Sequence, residues 1–333
     1  MTRRRLQLGL AAVWLLDALL QLQSTMFTKA FGQSLAATAH GNPAIVADPI
    51  NWSARIIEAH PAWTNATFAT VQLFLAAGIA WRRTLKAALA ASVGWSLAVW
   101  WLGEGLGGVL NGTANPASGA PGAVIIYALL AVLLWPADRV PAQGDEAFEA
   151  ARPVGALRAR LLWLMLWGSL AWFAIQGANR TPRGLPDMVA GMASGEPGWL
   201  ASLDRDAATV LAGQGALASA VLALVLATIA AGIFLPPRWG RAIVLMAVVV
   251  AMAIWLVGEN FGAMFAGTAT DPNSGLLLAL LAAAYWPQRW PQRQGTTTSG
   301  TGEWRARLTA TEPTTRWVAW DELPTTITTD SSG

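Results

Sequence analysis

The sequence contains no cysteine and only two histidines. Without cysteine the chain forms no disulfide, no thiolate metal site and no cysteine nucleophile, and its redox compartment stays open. His40 and His60 lie in one polar stretch, at a spacing that matches no metal-binding signature. The common motifs of hydrolases, metalloproteases, nucleotide-binding proteins and kinases are also missing. We therefore expect no metal and no cofactor, and the sequence identifies no catalytic residue.

Charged residues are scarce as well. They make up 12% of the 333 residues, whereas 54% are hydrophobic. Soluble domains carry about 25% charged residues, so this composition indicates a membrane protein. Eight apolar segments approach the roughly 20 residues of a transmembrane helix, although the fourth and eighth are shorter. They cover residues 6–22, 66–81, 87–103, 121–135, 161–177, 209–235, 241–258 and 275–287. We predict an all-α polytopic transmembrane bundle of about eight helices.

Basic residues are distributed unevenly between the loops. Alternate polar segments, beginning with the N-terminus, hold all the arginines and lysines except Lys29, Arg55, Arg180, Arg183 and Arg205. The positive-inside rule then predicts that both termini are cytoplasmic. Because the inner basic clusters are short, we interpret the net charge of +3 as a consequence of the orientation of the chain in the membrane. We expect the lipid bilayer as a partner and no nucleic acid, and protein partners stay open.

Two stretches of the chain are closely similar. Residues 100–119 read WWLGEGLGGVLNGTANPASG, and residues 255–275 read WLVGENFGAMFAGTATDPNSG. An offset of 155 residues, the separation of Glu104 and Glu259, aligns their tryptophan, Gly-Glu and Gly-Thr-Ala elements. Shorter matches extend through both halves, so we predict an internal repeat. Because each half holds four helices, an even number, the two repeats insert in parallel orientation.

The predicted domain boundaries follow from this repeat. They are a first four-helix membrane repeat at 1–139, a polar cytoplasmic linker at 140–155, a second four-helix repeat at 156–290 and a Thr-rich, disordered cytoplasmic tail at 291–333. Each repeat also contains a long outer loop, at about 25–65 and 178–208, where short helices are expected at the membrane surface. The roles of these loops and of the tail stay open.

Three carboxylates fall within or at the ends of the apolar segments. They are Asp17, Glu104 and Glu259. An intramembrane carboxylate costs about 2.5–3.5 kcal/mol at mid-helix, so such residues are candidate substrate-binding or ion-coupling sites. The two glutamates are predicted to lie at matching depth near the outer ends of helices three and seven, turned toward the interior between the halves. The simpler alternative is that each is a solvated helix end.

Asp17 lies deeper in its segment than the glutamates. The equivalent position in the second half is Trp172, so the repeat is broken there. Asp17 is either a proton or cation site or a buried acid held by a structural hydrogen bond, from Gln21 or from a neighbouring helix. The glycines around the glutamates, four residues apart, favour close helix packing; a second interpretation is that they let the backbone bend and line a cavity.

The first half resembles a known group of proteins. The pieces VWLLDALLQLQSTMFTKAFG, WWLGEGLGGVLNGTANPASGAPG and ALLAVLLWP are similar to those of polytopic integral membrane proteins from actinobacteria that have no assigned activity. The resemblance covers most of residues 1–290, and WWLGEGLGG is its most specific piece. It implies a bacterial plasma membrane and lends no site residue.

Three classes of function fit these features. The leading hypothesis is a transporter or ion-coupled permease for a small molecule or an ion, because parallel repeats enclose isolated carboxylates. The second is a structural or accessory subunit of an envelope or respiratory complex, which the glycine ladders and long loops favour. The third is a membrane enzyme acting on lipid or envelope substrates, with Glu104 or Glu259 as acid or base. A cavity at the glutamates would distinguish the first hypothesis from the second.

Overall fold

The computed structural model describes residues 2–137 and 148–288, and within these ranges it contains thirteen α-helices and no β-strand. The all-α prediction is confirmed. The helices of the first half are α1 Arg3–Leu20, α2 Lys29–Ala37, α3 Ala44–Ala59, α4 Pro61–Ala80, α5 Leu85–Leu102 and α6 Ala123–Leu133. Those that follow are α7 Ala151–Val154, α8 Ala156–Ala174, α9 Gly184–Met192, α10 Gly198–Leu211, α11 Gly215–Gly232, α12 Pro237–Ala253 and α13 Asn273–Ala284.

Within the described residues, three stretches are helical, apolar and long enough to cross a membrane. They are Leu85–Leu102, Gly215–Gly232 and Arg238–Gly258, the last of which joins α12 to a π-helical turn. Two shorter apolar helices, α6 and α13, accompany them. Many large hydrophobic side chains of these helices face outward, among them Leu97, Leu224 and Val249. In water such a surface would be unfavourable, so the fold supports association with a membrane.

Each apolar segment of the sequence overlaps a helix, and one segment overlaps two. Residues 209–235 were expected to form a single helix, whereas α10 ends at Leu211 and α11 begins at Gly215. The chain turns between them at Gly213, whose φ is 74°. Glycine adopts this left-handed conformation without the steric cost that other residues carry, so the Ala-Gly-Gln sequence ends the amphipathic helix α10.

The buried core joins the long helices in pairs. Helix α1 packs on α4 and α5 on α6, while α8 packs on α11 and α12 on α13; α6 and α13 also contact each other. Aromatic side chains fill the centre of each group. Trp14 and Tyr127 have ring centroids 4.2 Å apart, and Trp163 and Tyr285 have centroids 4.7 Å apart. All four are fully or almost fully buried.

The two ends of this bundle differ in composition. The arginine end, defined here by the start of α1 and the turns that precede α5 and α12, carries Arg4, Arg83 and Arg238. Arg4 donates a hydrogen bond of 3.1 Å to the carbonyl of Ile79 at the end of α4. The loop end, at the opposite side, carries α2 and α3 from one long loop and α9 and α10 from the other. Both long loops therefore contain short helices, as the sequence predicts.

Part of the predicted linker is packed structure. Phe148 stacks on Tyr285 with ring centroids 5.1 Å apart, and it is 4% exposed. Glu149 forms ion pairs with Arg3 at 3.6 Å and with Arg152 at 3.4 Å. Residues 148–155 therefore pack against the arginine end of the bundle. Residues 138–147, as well as the tail predicted at 291–333, lie outside the described residues.

Candidate functional site

Two left-handed turns form the centre of the loop end. Four consecutive residues after α5, Gly105–Gly108, have φ of 56°, 56°, 62° and 72°. Four consecutive residues after the π-helical turn, Asn260–Ala263, have φ of 46°, 57°, 73° and 54°. Non-glycine residues pay about 1–2 kcal/mol each for this conformation, and the second turn holds three of them. Strain of this kind persists where the surrounding structure fixes it, commonly at functional sites.

Glu104 stands immediately before the first left-handed turn. Its Oε1 accepts a hydrogen bond of 3.2 Å from the backbone N–H of Val124, in the first turn of α6. A carboxylate at a helix N-terminus is favourable because free N–H groups and the helix dipole both point at it. The neighbouring Trp100 indole donates to the Pro121 carbonyl at 2.6 Å and fixes the entry to α6. The other carboxylate oxygen, Oε2, is buried and has no hydrogen-bond partner among the described residues.

Glu259 is held in a closely similar way but more completely. Its Oε2 accepts a hydrogen bond of 2.8 Å from the backbone N–H of Gly275, in the first turn of α13, while the Ser274 hydroxyl donates to Oε1. The Trp255 indole donates to the Pro272 carbonyl at 2.7 Å, as Trp100 does in the first half. Glu259 is 2% exposed. Both of its oxygens are therefore occupied by groups of the protein itself.

The two glutamates differ in their relation to a large cavity. A cavity of about 540 Å³ extends from the loop end between α1, α3, α4 and α5, and Glu104 forms part of its wall. Glu259 is not among its lining residues. The two glutamates therefore have matching positions in their turns but different surroundings. The structure brings Glu104 together with Asp17 in this cavity and leaves Glu259 apart from both.

Asp17 lies at the inner part of the cavity wall and is 1% exposed. Its Oδ1 accepts a hydrogen bond of 2.7 Å from the hydroxyl of Tyr127 on α6. Gln21, the partner named from sequence, does not hold it. The backbone carbonyl of Gln21 instead accepts from Asn65 at 2.7 Å, and its side-chain Oε1 is buried without a partner. The hydrogen bond therefore comes from a neighbouring helix, the other possibility that the sequence left open.

A third carboxylate, Asp271, reaches the same cavity from the other half of the chain. Its oxygens accept hydrogen bonds from the Thr270 hydroxyl and from the backbone N–H of Asn273, both at 2.8 Å. Desolvation raises the pKa of Asp271, and these two hydrogen bonds oppose the shift. Sequence analysis missed this residue because it read DPNSG as a turn. Aligning Pro121 with Pro272 would have shown the signal, since Asp271 then stands where the first half has Ala120.

The turn that carries Asp271 reaches the cavity because the two halves meet at their turns. A Cβ added at Gly119, before α6, would lie 2.3 Å from Oδ1 of Asn273, at the start of α13. A second cavity of about 320 Å³ lies at this junction and is lined mainly by polar residues and glycines. It shares Glu104 and Asp271 with the larger cavity. The smaller, polar cavity and the larger, mostly apolar one therefore meet at these two carboxylates.

Basic residues do not balance these acids within the cavity. Among the described residues that line it, none is lysine, arginine or histidine. Asp17, Glu104 and Asp271 line the same cavity, so charges on these carboxylates would repel one another across it. His40 and His60 lie elsewhere, and within residues 2–137 and 148–288 no cluster of metal-ligating side chains occurs. The cavity thus brings three acidic side chains together in a largely apolar wall.

Another buried acid stabilises the second left-handed turn. Asp204 on α10 is fully buried, and its Oδ2 accepts a hydrogen bond of 2.7 Å from the side chain of Asn260. Asn260 also donates to the Met192 carbonyl at 2.9 Å, at the end of α9. Burial raises the pKa of Asp204, whereas the hydrogen bond from Asn260 lowers it. These hydrogen bonds connect α9 and α10 to the second left-handed turn.

Glycine at position 107 is required by close packing as well as by conformation. Gly107→Ala is expected to destabilise the protein by about 3 kcal/mol or more, since a Cβ there would lie 2.0 Å from the Pro121 carbonyl oxygen. Gly112→Ala is the matched control: its φ is 74°, but nothing lies within 4 Å, so only about 1–2 kcal/mol is expected. Thermal unfolding in detergent measures both variants. Equal melting temperatures would contradict the packing of this turn against Pro121.

Comparison with known proteins gives no further guide to this site. Neither protein-family models, nor curated proteins, nor solved structures matched the chain.

Proposed function

We propose that the protein is a multi-pass permease of the bacterial plasma membrane, and that its pathway is the cavity bounded by Asp17, Glu104 and Asp271. The observation that carries this proposal is a cavity of about 540 Å³ whose described lining residues include three carboxylates and no base. Buried charges without counter-charges are unfavourable, and proteins retain them where ions or substrates bind. The cavity at Glu104 favours a permease over a purely structural subunit.

We further propose that the chain consists of two parallel repeats of four membrane helices each. The matched left-handed turns support this, as do the two indole–proline hydrogen bonds and the two glutamates at helix N-termini. In this arrangement Glu104 belongs to the pathway, whereas Glu259 is a structural cap of α13. The arginine end is cytoplasmic by the positive-inside rule, so the cavity opens toward the outside.

The coupling of the carboxylates suggests how an ion would drive transport. A proton or cation that neutralises one of these three carboxylates lowers the electrostatic cost of the other two, because all three line one cavity. Glu104 and Asp271 lie at the entrance, and Asp17 lies deeper beside Tyr127. Entry of a cation past the outer pair would therefore alter the protonation of Asp17, which provides the link between substrate and coupling ion.

A cysteine in the cavity wall tests this function without any knowledge of the substrate. Ala98 lines the cavity and is exposed, and the chain has no cysteine of its own. In a permease with alternating access, Ala98→Cys is expected to react with an impermeant thiol reagent in intact cells and also in inside-out vesicles. Leu97→Cys is the matched control, because Leu97 is 46% exposed but does not line the cavity. A thiol facing lipid stays protonated and unreactive.

The outcomes separate the three classes of function. Labelling of Ala98→Cys from both sides supports a permease. Labelling only in intact cells would contradict transport and favour an enzyme or receptor that uses an outward-facing site. Equal, slow labelling of the two variants from either side would show that the cavity is not accessible to water, and the accessory-subunit hypothesis would then replace the proposal.

A further inference from the structure

The size of the cavity indicates the kind of ligand it takes. Sites for small organic molecules have volumes of about 300–1,000 Å³, and the value of about 540 Å³ lies in that range. A bare metal ion or a proton needs far less space. If the cavity is the pathway of the proposed permease, its substrate is therefore an organic molecule, and the chemistry of the wall should identify its class.

The wall provides apolar and aromatic surface on several sides. Phe31, Phe68 and Trp95 form a row with edge-to-face contacts, at centroid distances of 6.3 and 5.7 Å. Trp14 and Trp52 also line the cavity, so five aromatic side chains bound it. Aromatic faces attract organic cations, and each such contact contributes about 0.5–2 kcal/mol. They attract apolar groups equally well, so this surface favours a lipophilic body and permits a positive charge.

The charged groups decide the sign of that charge. Asp17, Glu104 and Asp271 all contribute to the wall, and the described lining residues contain no base. An anion would meet three carboxylates without a counter-charge, whereas a cation would relieve their mutual repulsion. Glu104 lines the cavity, and a ligand N–H that reached its Oε2, which has no hydrogen-bond partner among the described residues, would satisfy that atom. A charge-assisted hydrogen bond at that atom would favour a ligand with an N–H donor.

Two glutamine side chains in the cavity wall also lack hydrogen-bond donors. The Oε1 atoms of Gln21 and Gln72 are buried and have no hydrogen-bond partner among the described residues, and both side chains line the cavity. Gln21 is 3% exposed and Gln72 is 7% exposed. A buried acceptor without a donor costs about 1–3 kcal/mol, and a ligand N–H that reached either oxygen would recover it. A quaternary ammonium, which has no N–H, would not.

We infer that the cavity binds a lipophilic organic cation, namely an ammonium or guanidinium group attached to an apolar body. The cationic group lies among Asp17, Glu104 and Asp271, and the apolar body lies against the aromatic row. The polar cavity shared by Glu104 and Asp271 provides its entrance. The conclusion that this cation is a transported substrate rests on the proposed function. Binding of the cation does not depend on transport.

Three probes of similar shape test the inference with the purified full chain. They are (1-naphthylmethyl)guanidinium, the neutral (1-naphthylmethyl)urea and the anionic 1-naphthylacetate. The urea keeps N–H donors and the ring but lacks the charge. Calorimetric titration of the protein in nanodiscs, with empty nanodiscs subtracted, is expected to give at least a tenfold lower Kd for the guanidinium than for the urea, and no binding of the acetate.

Two isosteric variants localise the binding site. Glu104→Gln is expected to raise the Kd of the guanidinium at least tenfold and to leave the Kd of the urea unchanged. Glu259→Gln carries the same substitution in the matching turn but outside the cavity, so its Kd values should equal those of the wild type. Equal binding of guanidinium and urea, or equal effects of the two variants, would overturn the assignment.

The result is independent of the cysteine test. Dual-side labelling of Ala98→Cys without guanidinium binding would leave a permease with a different class of substrate. Guanidinium binding with labelling from one side only would leave a cation-binding protein and remove the transport function.

Discussion

Replacement of Asp17 by asparagine is expected to lower the uptake of (1-naphthylmethyl)guanidinium into proteoliposomes about a hundredfold. Asparagine keeps the shape and the oxygen that accepts from Tyr127, so the helix packing should survive. It cannot carry a negative charge or hold a proton. The burial of a charge at this depth costs about 2.5–3.5 kcal/mol, and a cation that neutralises the charge recovers an energy of this order, which corresponds to roughly a hundredfold.

The control for this variant is Tyr127→Phe. It removes the hydroxyl that donates to Asp17 at 2.7 Å but leaves the carboxylate and the ring that packs on Trp14. Its uptake should fall far less than that of Asp17→Asn. Initial rates measured at several probe concentrations, with melting temperatures determined for both variants, separate loss of transport from loss of folding. Wild-type rates for Asp17→Asn would show that Asp17 is a structural acid only.

The two glutamates are expected to differ strongly in their contribution to stability. Glu259→Ala leaves the Ser274 hydroxyl and the Gly275 N–H without their acceptor in a buried site, at a cost of about 3 kcal/mol or more. Glu104→Ala removes one hydrogen bond of 3.2 Å from a partly exposed position, and about 1 kcal/mol is expected. The reverse order is expected for binding, where only Glu104 lines the cavity.

Thermal unfolding in one detergent, with both variants at equal concentration, measures this difference. The melting temperature of Glu259→Ala should fall several times further than that of Glu104→Ala. Similar losses for the two variants would mean that the glutamates have equivalent surroundings, and the assignment of one to the pathway and the other to structure would be wrong.

The sequence predicted the long helices well because hydropathy and helix length act locally. Each apolar segment overlaps at least one helix, although residues 209–235 overlap both α10 and α11. It failed where local pattern and tertiary packing differ. Residues 148–155 are polar enough to read as a linker, yet Phe148 and Ala150 are buried because Tyr285 and the end of α13 lie beside them. Such packing partners are distant in sequence and leave no local signal.

The candidate site, too, could be predicted from the sequence only in part. Repetition and the cost of burial identified Asp17 and Glu104, which the structure brings into one cavity. The matching motifs predict the same role for Glu259 as for Glu104. Their difference arises from Ser274, which stands where the first half has Ala123, and from the side of the turn on which the cavity lies. Asp271 was missed because the turn that carries it belongs to the opposite half.

Uptake of the permanently charged guanidinium probe is the most direct measurement of the central claim, that Glu104 belongs to a pathway for organic cations. Proteoliposomes with an inside-negative potential would contain the wild type, Glu104→Gln or Glu259→Gln, and protein-free liposomes would give the background. The account predicts saturable uptake for the wild type and for Glu259→Gln, and uptake at background for Glu104→Gln. Wild-type uptake no faster than that of protein-free liposomes, or equal uptake by the two variants, would contradict it.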